Sequence, residues 1–191
     1  MRHVISALVM NEPGVLANVA NLFSARGFNI DSLVVGRTEN PELSRMTVVL
    51  DADENTLEQV RKQLAKLVPV VKVRDFAGTK YIERDLALVT VGVGAGSRSE
   101  VIEIVNLFRG KVVDVAKNSL IVELSGPEEK VEAMIELLQP YGIKELARTG
   151  VIAMARGTQN AKDEAAEKAP PAGGKRKRSI SAPSAAALPP S

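Results

Sequence analysis

The chain has 191 residues, 45% of them apolar and 3% aromatic, enough for aliphatic cores in one ordinary domain or two small ones. It contains no cysteine, which excludes disulfides, zinc thiolate sites and cysteine nucleophiles and fits a reducing compartment. The formal charge of +2 is unevenly spread: from Thr158 onward six basic residues face three acidic ones, leaving 19 basic against 20 acidic before it, which weakens any argument from charge to a nucleic-acid partner of the folded part.

The N-terminal apolar run is too short for a signal peptide, and no run is long enough to cross a bilayer. A soluble cytoplasmic protein with no membrane association is expected. A first strand, Arg2 to Met10, leads through Asn11, Pro13 and Gly14 into a helix from about Val15 to Arg26, with Val15, Val19, Leu22 and Phe23 on one side. Arg26 and Gly27 stop that helix, and a second strand covers Asn29 to Arg37. TENPEL, Thr38 to Leu43, reads as a hairpin loop into a third strand, Ser44 to Leu50. A second helix, Glu54 to Lys66, presents Leu57, Val60 and Leu64, and a fourth strand, Val68 to Asp75, closes the unit.

After a junction from Phe76 to Asp85, the apolar run LALVTVGV, Leu86 to Val93, reads as an interior strand. A helix from about Glu100 to Phe108 follows, then two strands, Lys111 to Ala116 and Ser119 to Leu124, reversing at Lys117-Asn118. A fourth helix starts near Pro127 and presents Val131, Met134, Ile135 and Leu138; a last strand, Ile143 to Arg148, is continued by Val151 to Met154. The fold class is therefore α+β: two successive ferredoxin-like βαββαβ domains with antiparallel sheets and helices on one face. The domains are placed at 1–76 and 85–157, with 77–84 as a linker. The Pro/Ala-rich segment 158–191, with KRKR at Lys175 to Arg178, is expected to be disordered. The sheet face away from the helices needs a cover, and homodimerisation through sheet faces or strand edges is the expected solution.

The turn at Asn11 to Gly14 is the one place where local chemistry suggests a ligand. Gly14 lets peptide N–H groups of the first helical turn approach a bound group, and the helix dipole favours a carboxylate there. The Asn11 amide offers both a donor and an acceptor, so it could recognise an ammonium as well as a carboxylate group. Asn, Pro and Gly are equally ordinary turn and capping residues, so a site and a plain turn both fit.

No catalytic residue is identified. The sole histidine, His3, lacks neighbours with metal-ligand spacing, so no metal site is expected and no serine has a histidine base. Gly92, Gly94 and Gly96 lack the Gly-Lys-Ser or Gly-Lys-Thr of a phosphate loop. Aromatic platforms for single-stranded RNA are missing from the first and third strands, so nucleic-acid binding is not favoured.

The run NEPGVLANVANLFSARGFNIDSLVVGRTENPELSRMTVV closely resembles the N-terminal ACT domain of the small regulatory subunits of acetolactate (acetohydroxyacid) synthase. The resemblance continues through ERDLALVTV, FRGKVVDVAKNSLIVELSG and LQPYGIKELARTGVIAMARG, and covers about residues 1–157. It implies a subunit with no catalytic residues or cofactor of its own. Such a subunit binds a large catalytic subunit that carries thiamine diphosphate, magnesium and FAD, raises its activity, and confers feedback inhibition by valine or another branched-chain amino acid. It further implies that the effector lies between two ACT domains of a homodimer, with Asn11, Gly14, Val15 and Leu16 at the contacting turn and Asn29 and Ile30 supplied by the opposing subunit. Two other readings remain at this stage: a free-standing amino-acid-sensing module with another partner, and a small nucleic-acid-binding protein using the basic tail.

Overall fold

The computed structural model describes residues 1–94 and 96–157; the expected disordered tail and its KRKR block lie outside the described residues. The first unit is β1 (Arg2–Met10), α1 (Val15–Ala25), β2 (Ser32–Arg37), β3 (Leu43–Asp51), α2 (Glu54–Leu64) and β4 (Val70–Asp75), and its strands lie in the order β2-β3-β1-β4. The second is β5 (Tyr81–Gly92), α3 (Arg98–Leu107), β6 (Lys111–Ala116), β7 (Ser119–Gly126), α4 (Glu128–Leu138) and β8 (Ile143–Arg148), ordered β6-β7-β5-β8, followed by β9 (Ile152–Ala155), which pairs with β5. Every pairing is antiparallel. The two expected βαββαβ units are both present.

Strand alternation assigns the cores. Ile5, Ala7 and Val9 of β1 and Met46, Val48 and Leu50 of β3 face the helices and pack on Val15, Val19, Phe23, Leu57, Val60 and Leu64. Ala87, Val89 and Val91 of β5 do the same in the second unit with Val101, Val105, Val131 and Met134. The Asp53 carboxylate caps α2 by accepting from the Thr56 N–H at 2.7 Å, and that bond is the leading reason its pKa lies below the ordinary carboxylate value. His3 is almost fully buried, with Nε2 donating to the Ala52 carbonyl at 3.1 Å.

Three expectations are corrected. Strand two begins at Ser32, not Asn29: the Asn29 amide bonds the Asp31 carboxylate, and the Asp31 N–H reaches the Val49 carbonyl before the ladder starts. The segment 77–84, expected as a linker, is only half one, because Tyr81–Arg84 forms the first part of β5 and pairs with Ile152–Ala155. That pairing continues the β5–β8 ladder in the same direction, interrupted at Thr149 to Val151, where Gly150 has φ +83°.

The third correction concerns the open face of the first sheet. A partner was expected to cover this face, with pairing through sheet faces or strand edges; Val4 and Val49, paired across β1 and β3, are the part of it that points away from the helices beneath the β5–β9 ribbon. There the chain's own ribbon is the cover, and Val4, Val49, Phe76, Val151, Ala153 and Ala155 form a third buried cluster with Tyr81 packed against it. The Phe76 and Tyr81 rings lie 4.9 Å apart, tilted by 36°. Polar links reinforce the joint: the Val151 N–H donates to the Ser32 hydroxyl at 3.1 Å, and the Arg2 guanidinium reaches Glu83 at 3.0 Å and Glu128 at 2.6 Å.

Candidate functional site

The turn into α1 is built by backbone geometry. Gly14 sits at the N-cap with φ +86°, ψ −13°, the left-handed region that a glycine enters without steric cost. A Cβ there would meet nothing within 4 Å, so the space in front of the turn is open. No side chain caps α1, and its first turn contains no acid. The other three α-helices each have an acid in the first turn, and α2 has Asp53 as well. Apart from a long contact of the Val15 N–H to the Glu12 carbonyl, the first N–H groups of α1 have no intrahelical partner, and no first-turn carboxylate complements its dipole.

Asn11 is held differently from the sequence expectation. Its Nδ2 donates to the Pro41 carbonyl at 2.9 Å, its Oδ1 accepts from the Ser44 hydroxyl at 3.1 Å, and its N–H bonds the Glu42 carbonyl at 2.7 Å. The amide therefore pins the β2–β3 loop against the turn, leaving one N–H and one lone pair for anything else. Val15 points inward, 5% exposed, so only its backbone faces the turn; its N–H has a long 3.4 Å contact to the Glu12 carbonyl. Leu16, 46% exposed, is the apolar side chain presented beside the turn.

Asn29 and Ile30 lie elsewhere. They follow the C-terminus of α1, Asn29 exposed and Ile30 half-buried against the first core. An α-helix of this length separates its ends by about 16 Å, and β1 runs parallel to β2, so Asn11 at the end of β1 and Asn29 before β2 occupy opposite ends of the sheet. One chain brings Asn11, Gly14, Val15 and Leu16 together but not Asn29 and Ile30.

A joint that sequence reasoning missed adjoins that second pair. Asp31 and Ser32 meet Thr149, Gly150, Asp85 and Arg148 around a cavity of 290 Å³. A Cβ on Gly150 would lie 2.4 Å from the Ser32 hydroxyl and 3.0 Å from Val34. Arg148 donates from Nε to buried Asp85 at 2.8 Å and from NH1 to Glu132; burial opposes its charge, but these carboxylates outweigh it and hold the guanidinium above its ordinary pKa. A Thr-Gly interruption in a strand pattern was the available signal. Among the described residues no group of three or more His, Cys, Asp or Glu could hold a metal ion, and no helix is long and apolar enough to cross a membrane.

Two antiparallel βαββαβ units, the first entering its helix through an uncapped glycine turn, define a protein of the ACT-domain class. In agreement, a family model described as the AHAS small subunit-like ACT domain matches residues 5–72, and one described as the small subunit of acetolactate synthase matches residues 84–157. A probable acetolactate synthase small subunit of Archaeoglobus fulgidus is 51% identical over 83% of this chain and 99% of that protein. The acetolactate synthase small subunit of Mycolicibacterium smegmatis is 50% identical over 81% of this chain and 91% of its own length. The crystal structure of the acetolactate synthase small subunit from Thermotoga maritima superposes with a TM-score of 0.75 at 44% identity, covering 82% of this chain and 98% of that one. The chain belongs to the acetolactate synthase small-subunit family.

Proposed function

We propose that this chain is the regulatory subunit of a cytoplasmic acetolactate synthase: it binds the large catalytic subunit, raises its activity, and makes it sensitive to valine or another branched-chain amino acid. Thiamine diphosphate, magnesium and FAD belong to the catalytic partner in this reading. The observation that carries it is α1, with neither a side-chain cap nor a first-turn acid, opening onto free space at Gly14. The effector's carboxylate would accept from the N–H groups after Gly14, with its aliphatic side chain against Leu16 and the facing Ile30. Burying that side chain contributes about 1.5 to 3 kcal/mol, and each charged hydrogen bond about 1.5 to 3 more before ordering costs.

The second half of the site requires a second copy. β2 is an edge strand of its sheet. Antiparallel pairing of two β2 edges would set the start of one β2, with Asn29 and Ile30, at the end of the other sheet that holds Asn11 and Gly14. With Val4 and Val49 already covered within the chain, the edge rather than the face is the reading favoured for the dimer. Inhibition then follows if the effector favours one dimer arrangement, since equal affinity for both would shift nothing.

Gly14→Asp tests the site. A Cβ there meets no atom within 4 Å, and Asp enters the left-handed region more readily than most residues, so the cost is backbone strain at φ +86° rather than a clash; thermal melting checks that the variant folds, and its carboxylate occupies the N–H groups the effector needs. In enzyme reconstituted with the large subunit, activation is retained and half-inhibition by valine requires about tenfold more ligand, or is lost. Unchanged valine inhibition would overturn the site; absence of activation by the parent chain would overturn the function.

A further inference from the structure

A second cavity, of 320 Å³, lies between the outer face of the first sheet and β9, away from the Gly14 turn. Its volume falls at the lower end of the range for small-molecule pockets, about 300 to 1,000 Å³. The β9 wall is apolar: Ile152 and Met154, 53% and 64% exposed, flank buried Ala153, and Val34 lines the opposite side. The polar groups come from one edge of β3. Arg45 is half-buried, with one guanidinium nitrogen donating to the Ser6 hydroxyl at 3.2 Å, which fixes the side chain and leaves its other N–H groups for a ligand. Thr47, two residues along on the same face of β3 and 2% exposed, also lines the cavity. At the rim stand Arg37 and Glu39, neither ion-paired among the described residues, which leaves the cavity with a net positive charge.

A planar fork donor and a neutral hydroxyl suit an oxyanion, and the apolar wall beside them favours a carboxylate carried on an aliphatic body over a bare phosphate. We infer that this cavity binds a small carboxylate with a short aliphatic body, its carboxylate on Arg45 and Thr47 and its apolar end against Ile152 and Met154. The site is complete within one chain and is independent of the effector reading at Gly14. Its ligand would sit between the first domain and the ribbon, where it bridges both. Two sources supply this chemistry. A free monocarboxylate would use Arg45 and Thr47 alone, whereas an amino acid would add its ammonium to Glu39.

Gly36 provides a filling variant, because it lies in β2, lines the cavity, and a Cβ on it would meet no atom within 4 Å. Titration calorimetry is done on the full chain carrying Gly14→Asp, which weakens the turn as a competing site, with 3-methylbutanoate and with valine, and only binding that responds to the cavity variants is counted. At least one of the two is expected to bind in one copy per chain, about tenfold or more weakened by Gly36→Leu and by Arg45→Gln. Tighter binding of valine, lost on Glu39→Gln, assigns the amino acid; equal or tighter binding of 3-methylbutanoate assigns the free carboxylate. Thermal melting confirms that Gly36→Leu folds, and Thr47→Val serves in its place if it does not. No binding of either compound at about 10 mM, or binding that survives both cavity variants, overturns the site.

Discussion

Asp85 is 1% exposed and places both carboxylate oxygens within the protein, one on Arg148 and the other 3.4 Å from the Thr149 hydroxyl. Removing one member of such a pair leaves the other without compensation, typically at a cost of about 3 to 5 kcal/mol. Arg148→Met, which leaves the buried Asp85 carboxylate with the Thr149 hydroxyl but no cation, is expected to lower stability by about 3 kcal/mol in urea unfolding, and more than Asp85→Asn, which leaves a guanidinium still able to reach Glu132. Asp53 behaves differently because it is exposed and acts through the α2 cap. Its folded pKa is depressed, so its contribution is complete above the ordinary carboxylate value, about 4, and is lost as pH falls through the lower folded value. Scanning calorimetry of Asp53→Ala against the parent should therefore show a lower midpoint at pH 7 and convergence of the two in strong acid.

At the scale of elements, the β5–β9 ribbon is what joins the two domains. Phe76 is 3% exposed at the centre of the third cluster, and Phe76→Ala is expected to cost about 3 to 4 kcal/mol in chemical denaturation, with new protease cleavage between 77 and 85 as the ribbon loosens. Both βαββαβ orders were legible because the apolar periods of their strands and helices differ clearly, as in Ile5, Ala7, Val9 against Val15, Val19, Phe23. The first half of β5 was not, since YIER mixes charge and apolar side chains and its reason for being a strand lies about 70 residues away in IAMA. The Gly14 turn was visible locally. The use of Asn11 by Pro41 and Ser44 was not, because a tertiary hydrogen bond to a distant loop leaves no mark on neighbouring residues.

For the molecule as a whole, the sheet edge at β2 decides assembly in the proposed reading. Val35, 43% exposed on that strand, tolerates polar replacement without opening either core. Val35→Lys would place two like charges near the symmetry axis of a β2–β2 pair. Sedimentation should show dimerisation weakened by about tenfold or more, and the reconstituted enzyme should lose valine sensitivity with it, because the two half-sites separate. A dimer of undiminished strength would place the interface elsewhere.

The twelve-residue span of β5 also governs how these domains can be exchanged. Side chains on a strand repeat every two residues, so inserting or deleting one residue within Tyr81–Arg84 would turn the ribbon over, presenting Ile82 and Arg84 where Tyr81 and Glu83 now face. A chimera spliced at residue 84 would pair Tyr81–Arg84 of one parent with the β9 of the other, mismatching the ribbon that covers Val4 and Val49. Recombination between relatives is expected to preserve folding only when the crossover falls in the turn at 77–80, so that ribbon and C-terminal domain travel as one heritable unit.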